Sequence, residues 1–280
     1  MARKPVWTAL QLAFVAAVLW FAGHALVKQW SGVREQLLSA RPDWGAVGAA
    51  TLLVLAAYAV LIQVWRMVLG AWHEGAERHL PFRAAARIWF VSNLGRYVPG
   101  KVWQIASMGV MTQRRGISAV SATGAALLVS LANVASGFVV VLATGATVFR
   151  SFANAGPRAG VLLAVLLTAG LAVLPLVMNR MSPLLARLTR QRFVLPAIPA
   201  RAIWLAALGT AAAWAVYGVA FQWFAASLTH RATGATTFYI AAYTGSYLVG
   251  YLALFAPGGL VVREYMLVAS LTSLGVLTAP

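Results

Sequence analysis

At 280 residues, 61% apolar and 10% charged, with a formal charge of +17 and a mean hydropathy of +0.80, the chain falls outside the ordinary water-soluble globular class and reads as an all-α polytopic membrane protein. So much basic charge in a soluble domain would point to nucleic acid. Here the Lys and Arg residues lie mainly between long apolar runs, so topology and anionic lipid headgroups are the simpler reading, with no nucleic-acid partner. Cysteine is absent, which excludes disulfides, zinc–thiolate sites and thiol catalysis.

The N-terminal "MARKPVW" leads into an apolar stretch that lacks a convincing small-residue cleavage site and continues past Trp20, so it reads as a retained first helix. Crossing a bilayer takes about 20 apolar residues. Spans are predicted at roughly 6–27, 45–70, 117–149, 159–178, 202–228 and 236–256, with a last apolar piece at 265–280, about seven in one integral membrane domain covering 1–280. The stretch 81–113 is amphipathic and broken. Basic residues outside the spans alternate in abundance. The N-terminus holds Arg3 and Lys4, the stretch 71–116 holds seven, and 179–201 holds Arg180, Arg187, Arg190, Arg192 and Arg201. The intervening loops hold only Lys28, Arg34 and Arg41, then Arg150 and Arg158, then Arg231. The positive-inside rule then puts the N-terminus in the cytoplasm; the membrane expected is the plasma (inner) membrane.

Two places interrupt the apolar pattern. In "YVPGKVW", Pro99 and Gly100 break the helix beside Arg96 and Lys101, and in "LFAPGGLVVRE", Pro257, Gly258 and Gly259 precede Arg263 and Glu264. Proline removes a backbone donor and glycine weakens the helix, and freed backbone groups at membrane depth must face protein or a wet cavity. A pair of Gly/Pro-interrupted segments, one in each half, is the sequence signature of a transporter site built from broken or re-entrant helices. Arg96 and Lys101 taken alone fit an interfacial anchor equally well; their position at a break favours a substrate-binding role. Glu264 is the only acid beyond Glu77, and a carboxylate at mid-membrane costs about 2.5–3.5 kcal/mol. Because adjacent helical residues do not face each other, its expected partner is Arg96 or Lys101 rather than Arg263.

Other constellations have structural readings. "HEGAERH", His73 to His79, is not the HExxH pattern of a zinc helix and reads as an interfacial loop, so no metal or other cofactor is expected. The eleven tryptophans fall often near span ends, as membrane belts do; Trp103, next to the first break, reads as a packing residue first and as a candidate headgroup contact second. Asn133, within the third span, reads as an interhelical bond or a cavity lining.

The segments "NLGRYVPGKVWQ", Asn93 to Gln104, and "APGGLVVRE", Ala256 to Glu264, resemble the two signature segments of the lysylphosphatidylglycerol synthase transmembrane-domain family. Arg96, Pro99, Gly100 and Lys101 match the first motif. Pro257, Gly258, Gly259, Arg263 and Glu264 match the second, with Val261 standing where the family usually has a glycine. The chain stops at Pro280, where relatives commonly continue into a further basic loop and final span. The resemblance implies flippase-like translocation of an anionic, aminoacylated or polyprenyl- or glyco-linked lipid, without an aminoacyl-transferase domain and so without lysyl transfer. Its expected partners are membrane lipids with phosphate-bearing headgroups, and a homo-oligomer is left open. Two alternatives stay in view: an accessory subunit of a lipid or cell-envelope glycan synthesis complex, and an intramembrane lipid-linked transferase. The second is weakened because no paired carboxylates accompany the motifs.

Overall fold

The computed structural model describes residues 41–72, 80–97, 103–145, 199–229, 234–252 and 261–273, together with Trp20, Arg180 and Gly259. Among the described residues there are seven α-helices and no strands: α1 Trp44–Trp72, α2 Phe82–Asn93, α3 Trp103–Gln113, α4 Ala119–Thr144, α5 Ala200–Thr229, α6 Thr236–Leu252 and α7 Val262–Ser273. The chain is a helical membrane protein. Three helices, α1, α4 and α5, are long and apolar enough to cross a bilayer. The predicted spans at 6–27, apart from Trp20, and at 159–178 lie outside the described residues, so three of the about seven expected spans are seen among the described residues.

Local chemistry explains where the helices start and stop. Asp43 Oδ1 accepts from the backbone N–H groups of Gly45 (2.9 Å) and Ala46 (3.2 Å), so one of the five acids serves as the N-cap of α1. Ser118 caps α4 by accepting from the Ser121 N–H. After α3, Gly116 turns the chain with φ +78, a left-handed conformation that glycine adopts without a Cβ clash.

α5 lies at the centre, in contact with α1, α4 and α6. The Asp43 N–H donates to the Ser227 carbonyl at 3.0 Å, so α1 begins where α5 ends and the two run antiparallel. Small residues permit close approach, as in other membrane helix pairs. A Cβ on Gly209 of α5 would collide with the Val64 side chain of α1, and one on Gly218 would collide with the backbone of Ile240 in α6. Polar bonds join α4 to α5: Ser136 Oγ with Thr210 Oγ1 at 2.8 Å, and Trp214 Nε1 donating to the Asn133 carbonyl at 2.9 Å. Only 22% of the most apolar window of α1 is buried, and Leu52 and Leu55 are exposed, which suits a surface facing lipid rather than water.

The interrupted stretch is a helical hairpin. α2 has 12 residues and α3 has 11; at 1.5 Å per residue each is about 17 Å long, roughly half a 30 Å hydrocarbon core. Between them α2 tightens into a 3₁₀ turn over Leu94–Tyr97. The helix therefore departs from α geometry five residues before Pro99, the residue to which the sequence assigns the break. Gly95 supplies a reason: an added Cβ would lie 2.7 Å from the backbone N of Gln104, so the turn packs directly on the start of α3.

Candidate functional site

All seven described helices contribute to one cavity of about 170 Å³. Its depth follows from helix position. Tyr58 is the central residue of α1, Asn133 lies near the middle of α4, and Trp214 and Tyr217 near the middle of α5; all four line the cavity. The cavity therefore lies at mid-length of the three helices able to cross a bilayer.

The ends of both interrupted segments reach it. Asn93, the last residue of α2, and Gln104, the second of α3, line the wall and are joined by a bond from Gln104 Nε2 to Asn93 Oδ1 at 2.9 Å. Asn93 Nδ2 donates in turn to the Trp89 carbonyl at 2.9 Å. This amide pair clips the hairpin shut beside its turn. From the second segment, Arg263 in the first turn of α7 lines the wall along with Gly250 and Tyr251 of α6. The approach of these segments depends on glycine: Gly259 is buried at φ +73, and a Cβ on it would lie 2.6 Å from the Gly250 carbonyl oxygen.

Arg263 is the only formally charged residue on the described wall. Its Nε and Nη2 donate to Glu264 Oε1 at 3.1 and 2.6 Å. This corrects the sequence-based expectation that neighbours on a helix point apart. In the first turn the long guanidinium side chain folds back along the helix, and the charge-assisted bond rewards it. The Glu264 carboxylate also lies near the positive end of the α7 dipole. Its second oxygen, Oε2, is buried and finds no donor among the described residues. The side chains of Arg96 and Lys101, the expected partners, lie outside the described residues.

The remaining predicted residues divide in the same way. Arg96 falls in the 3₁₀ turn, while Pro99, Gly100, Lys101, Pro257 and Gly258 lie outside the described residues, as does the His73–His79 stretch. Trp103 opens α3, is 56% exposed and is not on the cavity wall.

Sequence reasoning missed most of the wall. Trp214 contacts Tyr217 and Tyr247 edge-on at 6.2 and 5.0 Å, and Tyr217 stacks on Tyr243 at 5.7 Å and meets Tyr58 at 5.8 Å. These aromatic side chains fall in the interiors of their helices, whereas a membrane belt lies at the ends; that position was the available signal. Asn133, expected to make an interhelical bond or to line a cavity, lines the cavity, and its backbone carbonyl accepts from Trp214. Trp89, also on the wall, keeps a buried indole N–H with no acceptor among the described residues.

No curated protein and no solved structure matches the chain. The family model for the lysylphosphatidylglycerol synthase TM region matches residues 8–280. Nearly the whole chain is thus accounted for by one family, and the protein belongs to the lysylphosphatidylglycerol synthase TM-region family.

Proposed function

We propose that the protein moves a phosphate-bearing lipid between the leaflets of the inner membrane, its headgroup passing through the mid-depth cavity. The observation that carries this reading is the convergence of both interrupted segments on one polar-lined cavity at mid-length of three spanning helices. Half-length helices that end at mid-membrane expose backbone dipoles and free a path for a polar group. A cavity of about 170 Å³ is smaller than the roughly 300–1,000 Å³ of a typical ligand pocket. It has room for a headgroup, with the acyl or prenyl chains left in the surrounding lipid. Arg263 supplies a phosphate contact from the wall, and Arg96 and Lys101 at the hairpin turn add positive charge along the route. Arg83 and Arg87 near the start of α2, and Arg114 and Arg115 after α3, would hold the open end of the hairpin at the cytoplasmic face. Glu264 orients Arg263 and offers a carboxylate oxygen to a coupling proton.

The test is reconstitution into vesicles containing fluorescent phosphatidylglycerol, with chemical quenching of the outer leaflet to report exchange, for wild type and Arg263→Gln. Native mass spectrometry of an Arg96→Ala, Lys101→Ala double variant adds the lipids retained. A folded Arg263→Gln protein that loses at least tenfold in exchange rate is the expected result. Equal exchange, together with the same mixed lipids retained by the double variant, would move the accessory-subunit reading ahead.

A further inference from the structure

We infer that the cavity selects a polyhydroxyl headgroup on a phosphodiester, a hexosyl phosphate in chemical terms, over a cationic aminoacyl headgroup; the inference rests on the translocation reading for its lipid source. The first reason is charge. A lysyl group brings two ammonium ions, and the described wall offers no carboxylate, only the Arg263 guanidinium. Glu264 is absent from the wall, and its Oε1 is already held by Arg263. Asp43, the other described acid, caps α1 at the far end of that helix from Trp72 and takes no part in the cavity. An ammonium entering the cavity would lose its water and find no carboxylate on the described wall to pair with, a costly exchange in a low-dielectric site.

The second reason is the inventory of neutral polar groups. Asn133, with its amide, and Tyr247, with its hydroxyl, share one wall with the Asn93–Gln104 pair. Amides and phenols both donate and accept, which suits hydroxyl groups that do the same. Aromatic surfaces from Trp214 and Tyr247 complete the wall and provide flat apolar faces against which the C–H face of a sugar ring can pack. Arg263 keeps Nη1 outside its bonds to Glu264 and is placed to meet the phosphate.

The experiment is equilibrium binding to the purified full chain in detergent, read by tryptophan fluorescence. The probes are farnesyl phosphoglucose, farnesyl phosphate, free glucose 1-phosphate and short-chain lysylphosphatidylglycerol. Asn133→Leu and Tyr247→Phe are compared with wild type after thermal melts establish that both variants are folded. The expected result is binding of farnesyl phosphoglucose at least tenfold tighter than farnesyl phosphate, with about tenfold lost in each variant, the worth of one hydrogen bond. Equal affinity for the two farnesyl lipids, tightest binding of the lysyl lipid, or no binding by a folded protein would each overturn the inference. If free glucose 1-phosphate binds as tightly as the lipid-linked sugar, or the sugar lipid binds but is not exchanged in vesicles, the headgroup chemistry stands and lipid translocation falls. If the lysyl lipid is exchanged and the sugar lipid is neither bound nor moved, translocation stands and the headgroup inference falls.

Discussion

Val261 has φ +71, a left-handed conformation that is a genuine outlier for a β-branched residue. It follows the buried Gly259 and immediately precedes α7, so the turn that delivers Arg263 to the cavity carries backbone strain. Left-handed geometry costs an ordinary residue about 1–2 kcal/mol, and a glycine there returns about 0.5–1 kcal/mol of that through its freer unfolded chain. Val261→Gly is therefore expected to stabilise the folded protein by about 0.5–1 kcal/mol; a lowered melting temperature in detergent would refute the strain argument. Gly259→Ala has the opposite sign. Its Cβ would meet backbone, the Gly250 carbonyl, at 2.6 Å, and backbone cannot swing aside as a side chain can. A loss of about 2 kcal/mol or more is expected in the same melt. The Gly-Gly pattern was legible as a break from the sequence, but its tight packing on Gly250 was not, because nothing in local spacing shows which distant residue a turn will touch.

Among the elements, the α2–α3 hairpin depends on two contacts at its closed end. Gly95 packs on the Gln104 backbone, and the Asn93–Gln104 amide bond spans the turn. Gln104→Ala should cost about 1 kcal/mol of stability and loosen the turn, seen as faster hydrogen exchange at residues 94–97 relative to α4. Unchanged exchange there would show that the clip does not hold the hairpin. The α4–α5 pair supplies a second case. Trp214→Phe keeps an aromatic ring but leaves the Asn133 carbonyl without its indole donor, though Ser136 Oγ still donates to that carbonyl at 3.2 Å. The expected loss is about 1 kcal/mol in thermal stability, while a variant as stable as wild type would show the Ser136 bond to be sufficient.

For the whole molecule, the bond between Asp43 and Ser227 puts the start of α1 and the end of α5 on one face. The helix ends that adjoin the predicted loops 28–44 and 229–235, both poor in basic residues, therefore share a side, as the positive-inside pattern requires. The chain has no cysteine, so single introduced thiols report sidedness without background. Arg115→Cys should react with an impermeant maleimide only when the cytoplasmic face is exposed, and Ala235→Cys only from the opposite face. Labelling of both from the same side would refute the topology.

Composition and local pattern by themselves determined that this is a helical membrane protein, that two Pro-Gly segments interrupt it, and that the segments belong to a recognised pair of motifs. Those are properties of contiguous residues: an apolar run needs no partner to be recognised, and proline and glycine act on their own backbone. The tertiary structure alone decided that Tyr58, Asn133, Trp214 and Tyr247 meet in one cavity with Asn93, Gln104 and Arg263. It also decided that Glu264 answers Arg263. The physical reason lies in the helices themselves. Lipid-facing and core-facing sides are both apolar in a membrane, so the rotation of each helix leaves little trace in periodicity. That rotation is set instead by close contacts such as Gly209 on Val64 and Gly218 on Ile240, and by the few interhelical hydrogen bonds that the packed bundle can satisfy.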